Sequence, residues 1–221
     1  MKFFNILSGV LASFVIAASA SAAVIYENGT LNGTYLGESI SPPQAVSNSF
    51  VVSSPSQLTG VTLGLWSPVG TQPATLSYAF GTSPFVGDLA SGTAALSNVF
   101  VFTNQLGFDI YLSSFAVDLT LGAGEYWLTL GEGRNTVGGL LFWDTNFDGL
   151  SQAQFRNDQA GGELENSQYF LLTGVAANDP GPGGGGPGPN PNPVPEPGSL
   201  MLLAAGMIGV AASRRRRSAA V

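Results

Sequence analysis

Between Ala23 and Ala177 the apolar residues recur at every second position in short runs, and no run keeps the spacing of a helix face over a convincing length. Leu58 to Trp66, LTGVTLGLW, sets Val61, Leu63 and Leu65 on one side and Thr62, Gly64 and Trp66 on the other. Leu76, Tyr78 and Phe80 alternate in the same way, as do Phe115, Val117, Leu119 and Leu121, and then Tyr126, Leu128 and Leu130. Tyr169 to Thr173 reads as a closing strand. A period of two is the repeat of a pleated strand. Many such runs broken by Gly, Ser, Asn and Pro predict an all-β body, an antiparallel β-sandwich or jelly roll. Lysine is nearly absent and cannot guard edge strands, so proline at 42, 43, 55, 68, 73 and 84 is expected to blunt or interrupt them.

Cysteine is absent, so no disulfide holds this body and no thiolate serves it. Stability must come from a packed core, which about 150 residues can build unaided. Histidine is absent too, removing the usual general base and the commonest metal ligand. The formal net charge of −7 hides an uneven distribution: five of the seven basic residues sit at the two ends. Over 23–195, two arginines face thirteen Asp and Glu, a net charge of −11. Bulk electrostatics therefore exclude nucleic acid as a partner.

Both ends carry targeting patterns. The first residues, MKFFNILSGVLASFVIAASASAA, pair the positive Lys2 with a mostly apolar run from Phe3 to Ala18. Ala20-Ser21-Ala22 is a small-x-small cleavage pattern. Residues 1–22 are read as a signal peptide, helical in its apolar part, that signal peptidase removes near Ala23. At the other end, Pro195-Glu196-Pro197 precedes an apolar run, Gly198 to Ser213, and then Arg214, Arg215, Arg216 and Arg217. Arginine blocks stay on the cytoplasmic side, so the run would enter a membrane from outside. Its 16 residues fall short of the roughly 20 of a comfortable span, which suits a transient anchor. Between body and tail, 178–194 is almost wholly Gly, Pro and Asn and is read as a linker. The expected organisation is therefore 1–22 signal peptide, 23–177 ectodomain, 178–194 linker and 195–221 sorting segment with a hydrophobic helix.

The Pro-Glu-Pro tripeptide, apolar run and terminal arginines together resemble the PEP-CTERM sorting signal of exopolysaccharide-producing bacteria. The resemblance implies cutting near Pro195–Pro197 by a membrane-embedded exosortase, transient anchoring in the inner membrane, and delivery to the outer surface or extracellular matrix. The body, through SNSFVV (47–52), LTGVTLGLW (58–66), LSYAFGTSPF (76–85), LGAGEYWLTL (121–130) and LLFWDTN (140–146), is similar to the ectodomains of choice-of-anchor surface proteins. That likeness implies a β-sandwich akin to carbohydrate-binding modules and brings no catalytic signature.

Residue chemistry narrows the functions further. Without His, and with the only Lys in the signal peptide, no Ser–His–Asp or Ser–Lys arrangement can form. A carboxylate-pair hydrolase remains formally open, with Asp109, Asp118, Glu125 and Glu132 among its candidates, though their spacing pairs no two of them. Asp144, Asn146 and Asp148, followed by Gly149, match the start of an oxygen-rich calcium loop. Phe155 occupies the twelfth position, so this is no EF-hand; Asp158, Glu163 and Glu165 could complete another cage, or the segment is a polar turn. Trp66 and Trp127 fall opposite their apolar neighbours, where rings could stack on sugars while Arg134 bonds hydroxyls, or where they could simply pack. The expectation is a non-enzymatic surface or matrix protein touching extracellular polysaccharide, with no cofactor unless calcium. A secreted glycoside hydrolase and a purely structural coat or adhesin protein are the alternatives.

Overall fold

The computed structural model describes residues 22–149, 151–158 and 160–177. The expected signal helix, linker and sorting segment with its hydrophobic helix lie outside these residues, Ala22 excepted. The chain divides into two units at Asp179–Pro180, and the described residues belong to the first.

These residues are all-β. The strands are β1 (Ala23–Glu27), β2 (Gly37–Ser39), β3 (Ala45–Val52), β4 (Ser56–Pro68), β5 (Pro73–Gly81), β6 (Ala90–Ala95) and β7 (Ser97–Thr103). They continue with β8 (Phe108–Leu121), β9 (Gly124–Asn135), β10 (Phe142–Asn146), β11 (Ala153–Arg156), β12 (Gly161–Leu164), β13 (Ser167–Gln168) and β14 (Phe170–Ala176). Every pairing is antiparallel. One sheet has eight strands and centres on the long β4, which pairs with β8 along one edge and with β14 and β10 along the other. The second sheet runs β12-β11-β3-β9-β5-β6.

The alternation predicted the inner faces well. Val61, Leu63 and Leu65 on β4, Leu76 and Phe80 on β5, and Leu128 and Leu130 on β9 are all at most 1 % exposed. Phe50 lies edge-on to both Phe80 and Phe170, joining the two sheets. Trp143 packs against Phe170 and donates its indole N–H to the Tyr169 carbonyl at 2.8 Å. Every fully buried residue of this core lies between Ile40 and Leu172, so the described strands carry a hydrophobic core of their own, the basis for testing residues 23–177 as a separate domain. Proline falls at strand ends, Pro68 closing β4 and Pro73 opening β5.

A loop, residues 28–36, covers the outer face of the eight-stranded sheet. Both Asn-Gly pairs turn there through glycines at φ +67°, a conformation that disfavours a Cβ. The loop delivers Asn32 N–H and Gly33 N–H to Asp144 on β10, each at 2.8 Å, and Thr30 N–H to Asp148 at 3.0 Å. Asn146 donates to the Asn28 carbonyl at 2.6 Å. An outer face that would otherwise meet water therefore becomes a second packed layer.

Candidate functional site

The outer face of the six-stranded sheet has small side chains where a groove runs across it. Because directly paired residues share a face, the register sets out two rungs. Arg156 of β11 lies beside Ala45 of β3, Gly131 of β9 and Ser77 of β5. The next rung holds Gln154, Ser47, Thr129 and Ala79. With so little bulk between the walls, a cavity of about 590 Å³ opens above these rungs.

Its walls come from three breaks in regular structure. The loop after β5 brings Phe85 over the face and anchors it by Phe85 N–H to Thr129 Oγ1 at 3.2 Å. The Arg156 guanidinium then sits 4.7 Å from the Phe85 ring centroid, a cation–π contact spanning the rungs. In β9 the register shifts opposite Thr75 and Ser77, a bulge that places Glu132 at φ +50° on the rim. Pro42, Pro43 and Gln44 close one end together with Asn157 and Asp158, which lie beside them. Phe85 (φ +60°) and Glu132 are the two non-glycine residues at positive φ among those described, and both line this groove. Held backbone strain of this kind concentrates where a fold positions ligand-contacting groups.

The groove thus offers guanidinium, amide and carboxylate groups around an aromatic ring. It lacks an imidazole, thiol or amine, because the body contains no His, Cys or Lys. Of Asp109, Asp118, Glu125 and Glu132, only Glu132 lines it, and Asp158 lies there too. Asp109 instead accepts from Gly70 N–H and the Thr103 hydroxyl, and Asp118 accepts from Gln57.

The tryptophan expectation is corrected. Trp66 is 3 % exposed and Trp127 8 %, so neither offers a ring face to a sugar. The 28–36 loop buries Trp66, whose indole N–H donates to Asp144 at 2.7 Å and whose ring meets Phe108. Trp127 lies between Ser49 and Gly81 in register, one outward position from the Thr129 that anchors the Phe85 loop. Arg134 is exposed, but it donates to the Gly138 carbonyl of its own hairpin at 3.3 Å and lies off the groove. The arginine that lines the groove is Arg156.

Asp144, Asn146 and Asp148 all face the 28–36 loop. All three are engaged by the loop, and no cluster of three acidic residues able to hold a metal occurs among the described residues. Asp144 is fully buried, and burial pushes its carboxyl up to about 6 although three N–H donors favour the charged form. Thr30 holds Asp148, at the surface, below the usual carboxylate range. Asp158 lines the groove, whereas Glu163 and Glu165 border a separate cavity of about 250 Å³ beside Glu38.

Sequence reasoning missed Phe85 and Arg156. Phe85 lies in a loop where no periodicity marks it. Arg156 carried a weak signal, as one of the two arginines in the body.

The described residues form a domain of two antiparallel sheets with a groove on the outer face of the six-stranded one. Residues 193–217 match the family described as PEP-CTERM protein-sorting motif. The chain carries that sorting signal, which marks it as an exosortase substrate sorted to the cell envelope or surface through its C-terminal end. No curated protein matches the chain.

Proposed function

We propose that this protein is a non-enzymatic component of the extracellular polymer layer, and that its body binds polysaccharide through the Phe85–Arg156 groove. The observation behind this reading is the pair of small-residue rungs beneath a guanidinium–aromatic stack. That floor leaves room for a flat, hydroxyl-rich ring, with donors and acceptors at its rim. The cavity lies in the size range of small-ligand sites. The path proposed for the chain is signal-peptidase cleavage near Ala20–Ala22, transient inner-membrane anchoring by the tail, and exosortase removal of that tail at Pro195–Pro197.

A polysaccharide pull-down and glycan array on residues 23–177, beside Phe85→Ala and Arg156→Ala, test the groove. Binding that falls at least tenfold in both variants is expected. Binding that ignores both substitutions, or no binding to any glycan, refutes the assignment. The processing path predicts that intact-mass measurement of surface protein finds no Arg214–Arg217. Their retention refutes it.

The carboxylate-pair hydrolase has one observation in its favour: Glu132 and Asp158 border the same groove. Release of reducing ends from a bound polymer, lost in Glu132→Gln and Asp158→Asn, would establish that activity over simple binding.

A further inference from the structure

On one flank of the sandwich a small cavity lies between residues of the two sheets. Its walls are β2 and β10 of the eight-stranded sheet, β12 of the six-stranded sheet and the turn from β12 to β13, around the space of about 250 Å³ beside Glu38. The register sets which side chains reach it. Glu38 pairs directly with Trp143, so it shares the inner face with that core tryptophan. Asp144 turns outward to the 28–36 loop. Thr145, the next residue, therefore turns inward, and it lines the cavity with Glu38. Glu163 on β12 and Glu165 just beyond it line the cavity as well, with Leu36 and Leu164.

Two independent observations mark this cavity. Three carboxylates line it, and no Lys or Arg does. The two arginines of the body are committed elsewhere: Arg134 donates to the Gly138 carbonyl, and Arg156 lines the Phe85 groove. Burial raises the Glu38 carboxyl, and no cation in the walls offsets its loss of water. The second observation is Thr145. It is 1 % exposed and its backbone N–H donates to the Leu36 carbonyl, yet its Oγ1 has no hydrogen-bond partner among the described residues. A buried hydroxyl without a partner costs free energy that a ligand at this position recovers. We infer that the cavity binds the primary ammonium group of a small organic amine, with Thr145 Oγ1 and the Glu38, Glu163 and Glu165 carboxylates as its acceptors.

The acceptors select that chemistry. An ammonium carries three N–H donors and no acceptor, which matches carboxylates joined by one hydroxyl oxygen. A calcium ion needs about six to eight oxygens in direct contact, whereas no three acidic residues among those described stand close enough to hold a metal. Leu36 and Leu164 give the carbon next to the nitrogen an apolar wall. A space of about 250 Å³ takes one end of a molecule rather than a run of sugar rings. Aliphatic diamines and amino sugars both present this group. The site shares no residue with the Phe85–Arg156 groove, so it stands independently of the saccharide reading.

Isothermal titration calorimetry of the full chain in detergent tests it, with putrescine and a glucosamine tetramer as probes. At least one of these amines is expected to bind, and the tighter of the two identifies the source. Their neutral counterparts, butanediol and the N-acetylated tetramer, should not bind. Glu38→Gln should weaken amine binding at least about tenfold, because a charged acceptor is lost. Thr145→Val keeps the shape and removes the hydroxyl, so it should weaken binding severalfold while the melting temperature stays the same or rises. Phe85→Ala should leave putrescine binding unchanged. The inference is overturned if neither amine binds, if the neutral probes bind as well, or if Glu38→Gln and Thr145→Val leave the affinity unaltered. Displacement of the amine by an equal concentration of calcium, or loss of putrescine binding in Phe85→Ala, overturns it too.

Discussion

Asp144 gives the sharpest test of how the 28–36 loop is held. Its carboxylate accepts from Trp66 Nε1 at 2.7 Å and from Asn32 and Gly33 N–H at 2.8 Å, with no exposed surface. Burial outweighs those bonds and raises the carboxyl from 3.8 to about 6. A shift of that size corresponds to about 3 kcal/mol. Between these two values the folded protein holds more protons than the unfolded chain. The contribution is therefore full below about pH 4 and is lost as pH rises through 6. Asp144→Asn removes the titration. Its amide oxygen can still accept from Gly33 and Trp66, but its NH₂ faces the Asn32 N–H, which costs about 1–2 kcal/mol at every pH. The expected result is a crossover: the variant is less stable by about 1–2 kcal/mol at pH 4 and more stable by a similar amount at pH 7. Urea unfolding of residues 23–177 from pH 4 to 7, followed by tryptophan fluorescence, measures both curves. Glu38, raised by burial, and Asp88 and Asp148, lowered by Thr82 and Thr30, titrate in both proteins and cancel in the difference. A difference that stays constant with pH refutes the argument.

Glu132→Gly relieves the φ +50° conformation and should stabilise the body by about 0.5–1 kcal/mol while weakening saccharide binding. Thermal melts and the glycan pull-down read the two effects. Trp143→Ala empties the largest fully buried side-chain site and should cost about 3–5 kcal/mol, visible as a lower urea midpoint. Millimolar calcium should leave the melting temperature unchanged, since Asp144, Asn146 and Asp148 are already engaged by the loop. A rise abolished by Asp148→Ala would show that those residues do take a cation.

Local pattern reached as far as the alternating strands β4, β5, β8, β9 and β14 and their inner faces. The period of two in LTGVTLGLW placed Val61, Leu63 and Leu65 correctly, because burial between two sheets enforces that alternation whatever the connections. The same pattern put Trp66 and Trp127 on outer faces, also correctly, and their exposure did not follow. Whether an outer face meets water depends on which distant loop folds over it. Residues 28–36 must cross from β1 onto β4, β8 and β10 before Trp66 and Asp144 are shut in. The sorting signal was legible because it works as a linear string of tripeptide, apolar run and arginines, and 193–217 match it without reference to the fold. The groove was not legible. Its floor is a rung through four strands distant in sequence, and its wall joins Phe85 to Arg156 across 71 positions. The sequence by itself determined the all-β class, the strands β4, β5, β8, β9 and β14 with their inner faces, and the sorting signal, since each depends on near neighbours in the chain. The tertiary structure alone decided which polar and aromatic groups meet at a surface, because that depends on strand register and loop cover.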